Sequence, residues 1–232
     1  MAVTSSSPAT APQRSWALFF LRFREAGIAV FILLLMAAVS LRAGSFLTVA
    51  NFTDILLNIS ILIIVALGQT MIIITRGIDL SVGSMIGLVA MMVAFVVARV
   101  PGVDPVVALL LGAFLGAVLG SFNGLLVTLG NVPPIIATLG TLSIFRGLIF
   151  FYSDGTWINS FELPAAFKAL SKGTPLAVPN MILFALLVAL AIYFFLNYTR
   201  PGRDIYAVGS NPDAAQMAGV RVQRTLFMVY LL

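Results

Sequence analysis

The sequence contains no cysteine and no histidine. Without cysteine the chain has no disulfide, no thiolate chemistry and no cysteine-based metal site. Without histidine it lacks the commonest general base and the commonest ligand of transition metals. Its two lysines, Lys168 and Lys172, do not follow a glycine, so the phosphate-binding loop that ends in Gly-Lys is absent. The motifs HExxH and GxSxG are also absent. We therefore expect no metal site, no cofactor bound by this chain, and no enzyme.

Charged side chains are scarce, at 9% of the residues, whereas hydrophobic residues make up 61% and the mean hydropathy is +1.11. A soluble domain carries about 25% charged residues. The composition therefore predicts an integral membrane protein in a lipid bilayer. The net charge of +5 does not indicate nucleic-acid binding, because the basic residues are spread over loops and helix ends.

Long apolar runs define the predicted architecture, since a span needs about 20 mostly apolar residues. We predict six spans, at residues 27–41, 55–75, 82–100, 106–129, 133–152 and 179–199, and the start of a seventh at Thr225. The fold is expected to be an all-α, polytopic bundle of transmembrane helices over residues 14–232. Residues 1–13 are rich in Ser, Thr, Pro and Ala and are predicted to be a disordered tail. Because the sequence stops inside an apolar run, we expect further C-terminal helices.

The basic residues predict the orientation, because cytoplasmic loops are enriched in Lys and Arg. With the N-terminus inside, eight arginines lie on the cytoplasmic side: Arg14, Arg22, Arg24, Arg76, Arg200, Arg203, Arg221 and Arg224. Four basic residues then lie outside: Arg42, Arg99, Lys168 and Lys172. This bias places the loop of residues 200–224 in the cytoplasm and the loop of residues 153–178 outside.

The fourth predicted span carries a glycine at every fourth position: Gly112, Gly116, Gly120 and Gly124. This spacing places the four glycines in one strip along a helix, where another backbone can approach closely. We predict that the strip packs helices together inside the bundle. It is compatible with a seam that moves and with a tightly packed, static helix.

Polar residues and glycines interrupt the apolar pattern between the second and third spans, at residues 75–84. Arg76 and Asp79 are close enough in sequence to pair, and Asp79 or Ser81 can cap the next helix. Two interpretations stay open. One is a capped turn in the lipid headgroups, and the other is a broken helix that lines a water-filled cavity.

Arg146 lies inside the fifth predicted span, thirteen residues after Pro133. That separation is about 20 Å along a helix that rises 1.5 Å per residue. A charge at this depth should face a partner or a cavity, or extend to the interface. Asp154 is a candidate partner.

The predicted outer loop contains apolar residues, among them Trp157, Phe161 and Phe167, that suggest an amphipathic element on the membrane surface. The element is either a platform for an extracellular partner, a lid over a pathway, or an interfacial helix that covers the bundle.

The cytoplasmic loop of residues 200–224 is predicted to contain a short helix with its own start and stop signals. Asn211 is a favourable N-cap, Pro212 suits the first helical position, and Asp213 suits the positive end of the helix dipole. Gly219 then supplies a left-handed stop. A helix of two turns is unstable alone and needs a surface on which to dock. It is either a contact for a soluble partner or an ordinary capped turn.

Three stretches resemble the sugar-type permeases of bacterial ABC importers, the ribose-transport permease group. They are TRGIDLSVGSMIGL (75–88), NVPPIIATLGTLSIFRGL (131–148) and GRDIYAVGSNPDAAQMAGVRV (202–222). The resemblance runs from about Phe46 to the last residue. The stretch DGTWINSFELPAAF is similar to permeases for rhamnose or the autoinducer-2 signal. The resemblance implies a type II-like importer fold and a cytoplasmic coupling helix, here at residues 211–219, that docks on an ATPase.

The resemblance also implies partners and a mechanism. It implies a second permease copy, identical or different, two cytoplasmic ATPases that bind ATP and Mg, and a periplasmic sugar-binding protein, all at the bacterial inner membrane. The sugar would cross by alternating access. The residues expected to line the pathway are Arg76, Asp79, Ser81, Gly83, Asn131, Pro133, Thr138, Thr141 and Arg146. The residues expected to couple to the ATPase are Arg203, Gly209, Asn211, Pro212, Asp213, Ala214, Ala215 and Gly219.

Two other functions are kept as alternatives to ATP-driven import of a monosaccharide. A gradient-driven sugar carrier would transport without an ATPase, although the predicted spans offer almost no buried carboxylate for proton coupling. A membrane scaffold that transports nothing would leave sugar uptake intact when the helix at residues 211–219 is lost.

Overall fold

The computed structural model describes residues 24–174 and 178–232, and it divides into two units, residues 1–54 and 55–232. The predicted tail at residues 1–13, together with Arg14 and Arg22, lies outside the described residues. Within the described residues every regular element is a helix. The predicted all-α membrane bundle is therefore confirmed.

Ten helices follow one another along the described chain. They are α1 (Arg24–Arg42), α2 (Val49–Ile74), α3 (Val82–Arg99), α4 (Pro105–Thr128), α5 (Pro134–Ser153), α6 (Ala165–Lys172), α7 (Asn180–Tyr198), α8 (Arg200–Ser210), α9 (Pro212–Met217) and α10 (Val222–Leu231).

Five of these helices, α2, α3, α4, α5 and α7, are long and apolar enough to cross a membrane. The predicted spans at 82–100, 106–129, 133–152 and 179–199 start and end within one residue of α3, α4, α5 and α7. The apolar part of α1, Gly27–Arg42, is shorter, and most of its side chains are exposed. The predicted start of a seventh span falls inside α10, which begins three residues earlier, at Val222.

The start of α2 differs from the predicted second span, because the helix begins at Val49 and not at Ile55. Polar side chains near its start are satisfied by neighbouring backbone groups. The Thr48 hydroxyl accepts from the Asn51 N–H (3.3 Å), and the Thr53 hydroxyl donates to the Val49 carbonyl (2.8 Å). A threonine hydroxyl that accepts from the backbone N–H three residues later is typical of an N-cap, which favours the start of a helix at this point.

In the second unit, α4 contacts α3, α5, α6 and α10. One apolar cluster joins α2, α4, α5, α7, α8 and α10 through Met71, Ile72, Val127, Ala137, Leu196, Ile205, Val229 and Tyr230. A second cluster joins Val93 and Val97 of α3 to Ala108 of α4, and Leu163 and Phe167 pack against it. The amphipathic helix α6 therefore packs its apolar side against the α3–α4 pair.

Many large apolar side chains of this unit are exposed, among them Leu62, Phe114 and Leu187. Lipid tails are as apolar as leucine, so such side chains need no burial within the protein. We therefore expect these exposed apolar faces to contact the lipid tails of a bilayer.

The glycine strip of α4 divides into two halves. At Gly120 a Cβ atom would collide with the Tyr230 carbonyl oxygen, and at Gly124 it would lie 2.9 Å from the Phe227 ring. These two glycines let the backbone of α10 approach α4 directly. At Gly116 a Cβ would meet nothing within 4 Å, and at Gly112 only ordinary contacts with α3. Gly112 and Gly116 instead line an apolar cleft between α3 and α4.

Candidate coupling and translocation sites

Helix α9 is defined by the local signals that its sequence predicts. The Asn211 side chain accepts hydrogen bonds from the backbone N–H groups of Asp213 and Ala214, both at 3.1 Å. Pro212 occupies the first position of the helix. At the other end Gly219 has a φ of +87°, the left-handed conformation that glycine adopts without strain. Capping at both ends fixes the direction in which this short helix projects.

The faces of α9 differ in burial. Ala215 is buried and faces the chain's own helices, since α9 contacts α8 and α10. Pro212, Asp213, Ala214 and Gln216 are exposed, and Met217 is 84% exposed. The two alanines predicted together as coupling residues therefore have different environments. Ala215 anchors the helix to the bundle, whereas Ala214 is free to contact a partner.

Helix α8 precedes α9 and was missed by the sequence analysis, which predicts a loop from residue 200. The Thr199 hydroxyl caps it by accepting from the Gly202 N–H (3.1 Å), and Ile205 and Val208 are buried completely or nearly so. The sequence signal for this helix was a Thr-x-Pro start at Thr199, followed by the apolar residues Ile205 and Val208, which are three positions apart. Arg203, on the other face, is exposed.

The break between α2 and α3 begins at Arg76, whose φ is +62°. Its guanidinium Nη2 donates to the Ser210 carbonyl oxygen at 2.6 Å. Asp79, by contrast, is buried and accepts from the N–H and hydroxyl of Ser81, both at 2.7 Å. Among the described residues no ion pair joins Arg76 to Asp79, so the suggested pairing is corrected. The two side chains make separate contacts because the backbone turns between them.

A buried polar network fixes the break against α2 and α4. The Asn123 amide donates to the Ser81 hydroxyl at 2.8 Å and lies 3.5 Å from the second Asp79 oxygen. The Gln69 amide donates to the Asp79 carbonyl at 2.9 Å. Asn123 has no exposed surface, and its Oδ1 has no hydrogen-bond partner in the structure. Sequence reasoning missed Asn123, although an asparagine in an apolar span was the signal.

The expected cap of α3 takes a modified form. Ser81 is the N-cap residue, but its side chain makes no capping bond to α3. The Ser81 hydroxyl instead donates to the Asp79 carboxylate, which also accepts a hydrogen bond from the Ser81 N–H. Asp79 therefore satisfies the backbone just before the helix. Both residues stabilise the turn, and neither faces open solvent.

Arg76 contacts the end of α8, and the other residues predicted to line a pathway fall in three places. Asp79, Ser81, Thr138 and Thr141 are buried, and the Thr138 hydroxyl lies 3.2 Å from the Ile78 carbonyl oxygen. Asn131 and Pro133 line a cleft of about 260 Å³ together with Thr75, Gly77 and Tyr230. Gly83 and Arg146 line a separate cleft of about 420 Å³ with Ser84 and Trp157.

Arg146 is exposed at the second of these clefts. Its suggested partner, Asp154, lies in the left-handed conformation at the end of α5, and no ion pair joins the two among the described residues. The Arg146 guanidinium can therefore donate hydrogen bonds to a molecule that binds in this cleft. Trp157, which also lines it, is 66% exposed.

The loop before α6 is ordered by Glu162. Its carboxylate accepts from the Asn159 backbone N–H (2.8 Å) and from the Asn159 side-chain amide (2.9 Å). These hydrogen bonds to the charged form lower the pKa of Glu162. Phe161 beside it is 82% exposed. The loop therefore presents an aromatic ring on an ordered turn.

Comparison with known proteins identifies the family. Residues 51–232 match the family described as branched-chain amino acid transport system / permease component. The chain belongs to this family. It is thereby placed among membrane permease components of transport systems and not among enzymes.

Individual relatives of this permease component indicate a narrower group within the family. It is 37% identical over 198 residues to the autoinducer 2 import system permease protein LsrC of Yersinia pseudotuberculosis, a match that covers 85% of this chain and 55% of the relative. It is 37% identical over 210 residues to LsrC of Enterobacter sp. strain 638, a match that covers 90% of this chain and 60% of the relative. It is 36% identical over 209 residues to LsrC of Salmonella typhi, a match that covers 90% of this chain and 59% of the relative. The predicted resemblance to autoinducer-2 permeases is confirmed.

The permease chain spans between 55 and 60% of the length of these curated relatives. No solved structure matches it.

Proposed function

We propose that this chain forms part of the membrane pathway of an ATP-driven importer for a monosaccharide or a sugar-like signal of the autoinducer-2 kind. It takes its driving force from a separate ATPase at α9. The observation that carries the proposal is the capped helix α9, which rests on the bundle through Ala215 and projects Met217 outward. Family membership and the names of the relatives support it.

Each expected partner has a place on this chain. A second permease copy completes the pathway, and each copy binds one of two cytoplasmic ATPases through the exposed face of its α9. A periplasmic binding protein delivers the substrate. Substrate passes the cleft at Gly83 and Arg146, whose exposed guanidinium donates to hydroxyl or carbonyl oxygens. The buried network around Asp79 keeps the turn beside this cleft in place.

Glutamate substitutions on α9 separate docking from folding. Ala214→Glu adds a charge on the exposed face, in the first turn where the helix dipole tolerates an acid. We expect it to abolish co-purification of the ATPase and ATP-dependent uptake while thermal unfolding stays unchanged. Ala215→Glu buries the same charge against the chain's own helices and should lower the melting temperature.

The matched control is Ala165→Glu, the same change in the exposed first turn of α6. It should leave ATPase binding and uptake unchanged. Retention of the ATPase and of uptake by Ala214→Glu would exclude α9 as the coupling helix.

The gradient-driven alternative is tested in membrane vesicles that take up labelled ribose, rhamnose or autoinducer-2. ATP-driven import predicts uptake that requires ATP and survives an ionophore. Uptake that needs no ATP and stops with the ionophore would establish a secondary carrier. Uptake that persists when the helix at residues 211–219 is deleted would leave this chain as a scaffold that transports nothing.

A further inference from the structure

The ends of α2 and α8 meet at two points. The Arg76 guanidinium donates to the Ser210 carbonyl at 2.6 Å, which links residues 134 positions apart. One residue earlier, Gly209 lies so close to Ile74 that a Cβ atom would collide with the Ile74 carbonyl oxygen. Ser210 is the last residue of α8, and the next residue, Asn211, is the N-cap of α9. The contact with α2 therefore lies directly beside the coupling helix.

The contact lies at an exposed position and joins groups of opposite partial charge. The last carbonyls of a helix lack partners within it and carry the negative end of the helix dipole. A guanidinium that donates there makes a charge-assisted hydrogen bond, which is stronger than a neutral one. The Arg76 backbone is left-handed, at a φ of +62°, a conformation that a residue with a side chain keeps only when its surroundings hold it.

The other end of the same segment is fixed in the bundle interior. A Cβ at Gly77 would lie 3.0 Å from an Ile72 methyl and 3.1 Å from the Tyr230 hydroxyl. Three residues after Arg76, the Asp79 carboxylate is tied to Ser81, whose hydroxyl Asn123 contacts. Residues 76–81 therefore form a short connection between α8 and the start of α3, in which Gly77, Asp79 and Ser81 are buried.

We propose that Arg76 is a positioning residue that transmits displacement of α9 to the turn at Asp79–Ser81 and so to the cleft wall at Gly83 and Ser84. This inference rests on the proposed function, because it gives the ATPase-docking helix a route to the substrate cleft. Arg76 does this by holding the Ser210 carbonyl, not by touching substrate. Movement of α9 carries Ser210, and the bonded segment must follow or the hydrogen bond breaks.

The first test uses the isolated chain in nanodiscs and needs no ATPase. Gly209→Ala forces α8 away from Ile74, and we expect hydrogen exchange at residues 77–81 to rise about fivefold or more, the range of a typical coupling between sites. Gly202→Ala is the control, because its Cβ collides with α7 at the opposite end of α8. Equal exchange at residues 77–81 in Gly209→Ala and the wild type would overturn the proposal.

The second test uses the chain assembled with its ATPase in proteoliposomes. Arg76→Gly keeps the left-handed backbone without strain and removes the guanidinium. We expect substrate moved per ATP hydrolysed to fall about fivefold or more, with the ATPase still bound. Asp154→Gly, at another left-handed residue with a φ of 49°, should leave the ratio unchanged.

If Arg76→Gly moves as much substrate per ATP hydrolysed as the wild type, the transmission role is refuted even if α9 binds the ATPase. Failure of the wild-type chain to bind an ATPase would instead refute the proposed function and leave the exchange test to decide on the α2–α8 connection.

Discussion

Asn123 decides the stability of the turn between α2 and α3, because its amide is the partner from α4 that reaches Ser81 and Asp79. A buried polar group without such partners is costly, whereas hydrogen bonds offset that cost. The turn at Asp79 and Ser81 is thus held by donors from the second and fourth helices.

Asn123→Ala should lower the free energy of unfolding by about 1–3 kcal/mol, since it leaves the Ser81 hydroxyl and Asp79 short of a buried donor. Thermal unfolding in detergent, followed by circular dichroism, measures the loss. Asn197→Ala is the control, because the exposed Asn197 amide bonds only to Tyr193 in its own helix. An Asn123→Ala chain as stable as Asn197→Ala would contradict a structural role for the network.

At the scale of helices, the strip of glycines on α4 combines two environments on one face. Gly120 and Gly124 allow the backbone of α10 to pack closely, whereas a Cβ atom at Gly116 would meet nothing within 4 Å. The period of four places all four glycines on the same face, but only the position of α10 determines which of them must be glycine.

Gly120→Ala should destabilise the bundle by about 1–3 kcal/mol, because the added methyl collides with the Tyr230 carbonyl of α10. Gly116→Ala should be neutral or stabilising by up to about 1 kcal/mol, since alanine favours a helix and meets no neighbour. Paired melting curves of the two variants measure the difference. Equal stability of the two would show that α10 does not pack on Gly120.

Helix α8 shows how an element can escape detection from sequence. Its mean composition is polar, and its buried residue Ile205 joins it to the apolar cluster that contains Met71 of α2 and Leu196 of α7. Helix α9, although shorter, is predictable because its caps are encoded in neighbouring residues, Asn211 and Gly219. Helix α8 has a local signal only at its start, the Thr199 cap, whereas α9 has one at each end.

At the scale of the whole molecule, the absence of cysteine makes the orientation directly testable. Met217→Cys on α9 and Phe161→Cys in the loop before α6 each introduce a single thiol at an exposed position. With the N-terminus inside, a membrane-impermeant maleimide added to intact cells should label Cys at position 161 and not at 217.

Inverted membrane vesicles should give the reverse labelling, and detergent-solubilised protein should be labelled at both positions, which controls for thiol reactivity. Labelling of position 217 from outside intact cells would overturn the orientation and, with it, coupling to a cytoplasmic ATPase.

The sequence alone determined the membrane class, the bounds of α3, α4, α5 and α7, and the caps of α9, because hydropathy and capping act between residues close along the chain. Only the tertiary structure decided that Arg76 bonds Ser210 and not Asp79, that Asn123 completes the Asp79 turn, and that Ala215 is buried while Ala214 is exposed. These contacts join residues far apart in sequence, and several partners of similar chemistry compete for each group. The packing of whole helices selects among those partners, and no local pattern records that choice.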